Sequence, residues 1–304
     1  MARIVFSGLI FAAIALAEVT VVAHYTGLAA AACAAPNVAA SSASPISSAT
    51  EDGDATLATP ADPATTARVI AGIENFVACR NAGDYAAYAA LLTPDRMIAE
   101  AGTTNPADVV AGLEAFNLPI TILSLGDVRT YSDGRLSAEF VHLFGDHLYY
   151  RSRIFVIEED GYIKFDEEVY LPEEPQGTQE VVEVGLDDFA FQLDRDVVNN
   201  AQYVVLRGHN EGAVPHEIIV VRLPVGATAE QAIAGEVDES QIDFIGQVAI
   251  APGESDDLVL ANLEPGEYTL LCFLDEPDGV PHAALGMIGH LTVEGMSTPI
   301  AGLH

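Results

Sequence analysis

The sequence has no tryptophan, only three cysteines and only 12 lysine and arginine residues among 304. Its 45 aspartates and glutamates give a formal net charge of −33 at pH 7. A surface of this sign repels the phosphates of nucleic acids and of anionic lipids, so we expect no nucleic-acid partner. Contact with a membrane is expected only through an N-terminal anchor or a lipid.

Three common catalytic motifs are also missing: a glycine-rich phosphate loop between a strand and a helix, a serine nucleophile elbow and a zincin-type histidine motif. A polar pocket that includes Asp84 and His142 could support acid–base chemistry, but nothing in the sequence names a substrate. We therefore expect a non-catalytic protein more than an enzyme.

Long apolar runs are scarce, and the one near the start of the chain is short. Residues 4–17 are uncharged and largely apolar after Arg3, and they fall below the about 20 residues that a membrane span needs. Ala15-Leu16-Ala17 offers a small-residue cleavage site, and Ala30 to Cys33 offers an alternative of the lipoprotein type. Residues 1–33 are therefore predicted to be a signal peptide or membrane anchor. The expected location is periplasmic, cell-surface or extracellular, either free or membrane-tethered.

The cysteines fit an exported protein only in part. Exported proteins usually pair their cysteines, but the count here is odd, and Cys79 and Cys272 fall in different predicted domains. Cys79 is expected in the core of a helical segment. An unpaired thiol outside the cytoplasm is exposed to oxidation unless it is buried or bound to a metal, which directs attention to Cys272.

The composition along the chain predicts two domains and two connecting segments. Residues 34–65 are rich in Ala, Ser, Thr and Pro and predict a flexible linker. Residues 66–172 show helical periodicity followed by strands separated by tight turns, which predicts an α+β domain. Residues 173–186 are interpreted as an acidic connector. Residues 187–296 contain about seven short strand patterns, which predict an all-β sandwich.

The first domain resembles the nuclear transport factor two-like (SnoaL-like) superfamily. The resemblance rests on the opening helix, the segment "RNAGDYAAYAALLTPD" and the final hairpin "EEDGYIKFDEEVYLP". It implies a cone, in which a curved antiparallel sheet wraps around helices and leaves a pocket. Some members of that superfamily are enzymes, and many are binding or accessory modules.

Four residues of the second domain form a candidate metal site. His216 precedes a predicted strand, Cys272 lies near the end of another, His282 follows in the next loop, and Met287 leads into the last strand. One thiolate, two imidazoles and one thioether are the ligands of a type 1 copper centre, with the methionine as a weak axial ligand. The sequence therefore predicts one copper ion bound by these four side chains.

The surrounding residues resemble those of the cupredoxins, the blue copper proteins. The resemblance rests on the segments "NEGAVPHEI", "EPGEYTLLC", "HAALGM" and "GHLTV". It implies a Greek-key sandwich, the same four ligand roles, and electron transfer or copper handling with a redox partner protein. One departure is the loop "FLDEPDGVP", which separates Cys272 from His282 by more residues than is usual in that family. The alternative hypothesis is a metal-free scaffold protein at the cell envelope that binds a small ligand in the pocket of the first domain.

Overall fold

The structure is a computed structural model, and it describes residues 33–34, 58–172, 175–199 and 201–295. The predicted leader, residues 1–33, lies outside the described residues except for Cys33, and so does most of the predicted linker. Among the described residues, no helix is both long enough and apolar enough to cross a membrane.

The chain divides into two compact units. Unit 1 comprises Met1–His142 and Arg151–Leu171, and unit 2 comprises Leu143–Tyr150 and Pro172–His304. Leu143–Tyr150, which the composition places in the first domain, belongs to unit 2.

Unit 1 begins with a short strand and four helices. They are β1 (Thr59–Pro60), α1 (Pro63–Asn81), α2 (Tyr85–Ala90), α3 (Pro94–Ala101) and α4 (Pro106–Ala115). Each helix begins after a residue whose side chain accepts a backbone N–H of the first turn: Asp62, Asp84, Thr93 and Asn105. Proline at the start of α1, α3 and α4 fits these ends because its missing N–H has no partner there.

An antiparallel sheet follows the helices. Its strands are β2 (Ile120–Thr130), β3 (Leu136–Phe144), β4 (Leu148–Glu159) and β5 (Tyr162–Tyr170). The order is β1-β2-β3-β4, and β5 pairs with β4. The helices-then-strands order is as predicted, apart from α3, which the sequence reading missed; the cone shape stays a prediction. The linker assignment is wrong from Thr59 onward, because β1 and the first turn of α1 lie inside residues 34–65.

A disulfide joins Cys33 to Cys79 across 46 residues of chain. Next to it, the backbone N–H of Ala34 donates to Oδ1 of Asn75 (2.9 Å), and Nδ2 of Asn75 donates to the carbonyl of Ala34 (2.8 Å). The prediction that Cys79 lies in the core of a helical segment is confirmed, since its side chain is fully buried in α1. Its disulfide with Cys33 was not predicted. In this bonded state the sulfur of Cys33 is not available for the thioether of a lipoprotein.

Unit 2 is a sandwich of two sheets. The first has the order β12-β9-β6-β7, with β6 (Gln179–Asp187), β7 (Ala190–Leu193), β9 (Tyr203–Asn210) and β12 (Ser255–Ala261). The second has the order β11-β10-β13-β14-β8, with β8 (Val197–Asn199), β10 (His216–Arg222), β11 (Asp243–Ile250), β13 (Gly266–Leu271) and β14 (Ile288–Glu294). A short helix, α5 (Ala229–Ile233), begins after Thr228, whose side chain accepts the backbone N–H of Gln231.

The core of unit 2 lies between these sheets. Alternate residues of β6, namely Val182, Val184 and Leu186, are fully buried, as the two-residue period of a strand requires. They share one apolar cluster with side chains of the second sheet such as Ile218 and Leu270. The β-sandwich that the sequence predicts is therefore confirmed.

The acidic connector is wrong in its second half. Residues 179–186 belong to β6, which pairs in parallel with β9 from Gln179 to Leu186. The face opposite the core carries Gln179, Glu183 and Asp187, so a strand with one largely polar face had the composition of a linker. The short strand β8, which pairs in parallel with β14, was also not predicted.

Candidate metal centre

Three strand ends bring the candidate ligands to one end of the sandwich. His216 is the first residue of β10, and Cys272 directly follows β13, which pairs with β10. His282 opens a short 3-10 helix, and Met287 immediately precedes β14. The backbone N–H of Met287 donates to the carbonyl of His282 (3.0 Å), so these two residues are held next to each other.

The long loop between Cys272 and His282 is an ordered turn. The N–H of Gly279 donates to the carbonyl of Glu276 (2.8 Å), and the N–H of Glu276 donates to the carbonyl of Val280 (2.9 Å). Gly279 has φ +82°, a left-handed conformation that glycine adopts without a steric cost. The N–H of His282 then donates to the carbonyl of Leu274 (2.9 Å). The extra residues therefore form their own hairpin and return His282 to the site.

The donor atoms of His216, Cys272 and His282 converge in the protein interior. The two Nδ1 atoms lie 3.1 Å apart. The sulfur of Cys272 lies 3.3 Å from Nδ1 of His282 and 4.0 Å from Nδ1 of His216. All three donor atoms lie within 4.8 Å of one another, and all three residues are buried.

Carboxylates hold the outer nitrogen of each histidine. Nε2 of His216 lies 3.0 Å from Oδ1 of Asp188, and Nε2 of His282 lies 3.0 Å from Oε1 of Glu276. The bond from His216, together with the backbone N–H of Ala213, holds the pKa of Asp188 below its usual range. A ring that donates its Nε2 proton to a carboxylate has, when neutral, the lone pair on Nδ1, and in both histidines Nδ1 is the nitrogen on the inner side.

The surroundings of the thiol are apolar. Burial raises the pKa of Cys272 to about 11, and the backbone N–H of Glu217 donates to its sulfur at 3.4 Å. Burial also lowers the pKa of His216, so the imidazole is neutral at neutral pH. A bound cation inverts this preference and stabilises the thiolate. The side chain of Glu217 accepts the N–H of Phe273 (2.9 Å) and ties β10 to the residue after the thiol.

Two residues before His216 shape the approach to its ring. Nδ2 of Asn210 donates to the carbonyls of Val214 (3.0 Å) and Ile250 (2.8 Å), which fixes the loop that precedes β10. A Cβ added at Gly212 would lie 2.2 Å from Oδ1 of Asp188 and 2.8 Å from Nε2 of His216. Only glycine therefore fits beside this pair without displacing it.

The arrangement fits a bound metal ion. Metal–nitrogen bonds of about 2.0 Å and a metal–sulfur bond of about 2.3 Å, as in zinc sites, place the donors of one ion roughly 3.3–3.8 Å apart. The separations of 3.1, 3.3 and 4.0 Å lie within a few tenths of an ångström of that range. Two inward lone pairs at 3.1 Å repel each other unless a cation lies between them. Met287 is fully buried in the same apolar cluster as Cys272 and adds a thioether nearby.

The inner residues were predicted from the sequence, and their two outer partners were not. Asp188 lies 28 residues from His216 along the chain, and Glu276 lies six residues from His282. The carboxylate–imidazole contacts could have been suspected from the rule that metal-bound histidines donate their second N–H, but the sequence does not say to which acid.

Unit 1 offers no comparable site among the residues that the structure describes. His142 is buried against Phe140, and burial lowers its pKa to about 3, so it is a poor proton acceptor at neutral pH. Asp84 caps α2 through the N–H of Ala87. A cleft beside α1, lined by residues such as Phe76, holds about 10 Å³, which is room for about one water molecule.

The comparisons with known proteins are uneven. No protein-family model matches the chain, and no curated protein matches it. Solved structures that resemble it include a reduced auracyanin from Roseiflexus castenholzii (22% identity, 39% of this chain and 98% of that chain, TM-score 0.28). They also include auracyanin A, a "blue" copper protein from Chloroflexus aurantiacus (23% identity, 38% and 99%, TM-score 0.27), and reduced rusticyanin (15% identity, 40% and 82%, TM-score 0.27).

These neighbours are cupredoxins and match only part of the chain. At such identities and TM-scores the likeness says nothing about the function of this chain, which has to be argued from the geometry of the site. The resemblance of unit 1 to the SnoaL-like superfamily stays a prediction.

Proposed function

We propose that the chain is an exported electron carrier that binds one copper ion. His216, Cys272 and His282 supply the three close ligands through Nδ1, Sγ and Nδ1, and Met287 supplies a weak axial thioether. The observation that carries the proposal is the convergence of two inward imidazole lone pairs and one buried sulfur within 4.8 Å of one another.

Copper is favoured over zinc by the fourth side chain. Structural zinc sites are closed by thiolate, imidazole or carboxylate ligands, whereas a thioether beside two imidazoles and one thiolate is the donor set of type 1 copper. Met287 is fully buried, and no carboxylate belongs to the inner group of donors in the described residues.

Electron transfer is favoured over copper storage by the rigidity of the site. The bound metal would supply the one-electron couple between Cu(II) and Cu(I). His216 and Cys272 are fixed by paired strands, the sulfur accepts the N–H of Glu217, and both outer nitrogens are held by carboxylates. A site that cannot relax changes little between the two charge states, so the electron exchanges with little rearrangement.

We infer a location outside the cytoplasm and a redox partner protein. The Cys33–Cys79 disulfide supports the location, since disulfides persist in oxidising compartments. The net charge of −33 favours a partner with a basic docking surface over one that is acidic. The alternative of a small-ligand pocket in unit 1 is not favoured, because the buried group of donor atoms among the described residues lies in unit 2.

The test is reconstitution of the protein with Cu(II), followed by visible absorption and electron paramagnetic resonance. A thiolate-to-copper charge-transfer band is expected at one copper per chain, and it should disappear in Cys272→Ser. His290→Gln is the matched control, because it removes an imidazole that is exposed and outside the group of donors. Stoichiometric copper with an unchanged spectrum in Cys272→Ser would refute the assignment.

A further inference from the structure

The long loop after Cys272 covers His282 and also supplies a carboxylate that contacts its ring. His282 is 2% exposed, and its Nε2 lies 3.0 Å from Oε1 of Glu276, which opens the turn of that loop. The same arrangement recurs at the other histidine, where Asp188 holds the Nε2 of the fully buried His216. The two candidate ligand rings therefore carry matching carboxylate partners from two separate segments.

We propose that Glu276 is a positioning residue that, together with Asp188, lowers the reduction potential of the site. The inference rests on the proposed copper site and goes beyond it, because it assigns the loop a function. Glu276 holds the ring of His282 with Nδ1 inward, and its negative charge reaches the metal through the imidazole.

The charge state of the metal decides the sign. A carboxylate hydrogen-bonded to an imidazole makes the ring a stronger electron donor, and its charge stabilises the more positive ion. Cu(II) therefore gains more than Cu(I) from Glu276 and Asp188, and the equilibrium moves away from the reduced form. Burial of both rings weakens solvent screening, so the charges act at an effective dielectric constant below that of water.

Conformation and charge act through the same bond. The side chain of Glu276 is 28% exposed. Two backbone hydrogen bonds close the turn that carries it: the N–H of Gly279 donates to the carbonyl of Glu276, and the N–H of Glu276 donates to the carbonyl of Val280. The carboxylate is thus held at 3.0 Å from Nε2 by the loop backbone.

The test is the reduction potential of the copper-loaded full chain, measured with small-molecule one-electron mediators. In Glu276→Gln the neutral amide keeps the shape of the side chain, and the ratio of Cu(I) to Cu(II) at a fixed potential should rise at least tenfold, which is 59 mV for one electron. Asp275→Asn is the matched control, because it removes the same charge from an exposed position in the same loop. The control should change the ratio less than twofold.

Other outcomes would refute either the role of Glu276 in lowering the reduction potential or the proposed copper site itself. A change of less than twofold in Glu276→Gln, or an equal change in Asp275→Asn, overturns it while the copper site stands. If Glu276→Gln does not hold copper, Asp188→Asn is measured instead, and it should raise the ratio of Cu(I) to Cu(II). A fall in that ratio, no change in it, or loss of copper from Asp188→Asn overturns the inference. A wild-type protein that binds no copper removes the proposed function itself.

Discussion

Removal of the Cys33–Cys79 disulfide should destabilise unit 1 by several kilocalories per mole. Cys33→Ala breaks the bond at its less buried end and leaves the packing of Cys79 in α1 unchanged. The bond closes a loop across 46 residues of sequence, and opening it returns that closure entropy to the unfolded chain. The chain-entropy relation gives about 4 kcal/mol for a loop of this length, as an upper value.

The helices make this loss measurable on unit 1 by itself. The four helices α1 to α4 all lie in unit 1, so the helical circular-dichroism signal during urea unfolding reports mainly on that unit. With a urea dependence of about 1–3 kcal/mol per molar, the midpoint should fall by roughly 2 M. Unit 2, followed by its copper absorption, should keep its midpoint.

The control is chemical reduction of the wild-type protein. Reductant should lower the wild-type midpoint to that of Cys33→Ala and leave the variant unchanged, since both treatments remove the same bond. A loss below about 1 kcal/mol in Cys33→Ala, or a further loss on reduction of that variant, would refute a structural Cys33–Cys79 bond.

Three further predictions concern the interior and the site. Gly212→Ala should raise the copper reduction potential, as Asp188→Asn should, because the added Cβ would displace Asp188 from His216. Voltammetry measures the shift, and an unchanged potential would contradict a contact between Asp188 and His216. Met287→Leu should keep copper stoichiometry but raise the potential, since a weak thioether donor is replaced by an apolar side chain of similar volume; a loss of copper would contradict an axial role. Wild-type unit 1 should lose stability, by up to a few kcal/mol, as the pH falls from about 6.5 towards 4.5, because His142 stays neutral in the fold with its pKa lowered to about 3 and titrates normally when unfolded. The difference in unfolding free energy between His142→Gln and wild type should shrink over the same range.

Local patterns account for the parts of the fold that sequence reasoning predicted correctly. The strand β13 ends in a continuous buried run and begins at a Pro-Gly turn. Both signals lie within a few residues of each other. The strand β6 was missed because glutamates stand between its valines along the chain, so its composition is that of a connector. Its partner β9 lies outside the local window.

The candidate ligands themselves were readable from the chain, and their environment was not. His216, Cys272, His282 and Met287 stand out because cysteine, histidine and methionine with turn residues around them are chemically distinctive. Which carboxylate meets each outer nitrogen depends on contacts that span separate elements, and no spacing rule fixes them.

The sequence by itself determined the β-sandwich of the second unit, the acidic character and the set of four candidate metal ligands. These depend on side-chain chemistry and on periodicity within single elements. Only the tertiary structure decided that Cys33 pairs with Cys79, that β6 joins the sandwich, and that Asp188 and Glu276 hold the two histidines. Each of these contacts joins segments that are separated along the chain, and packing of the whole core selects one of many partners that the sequence would allow.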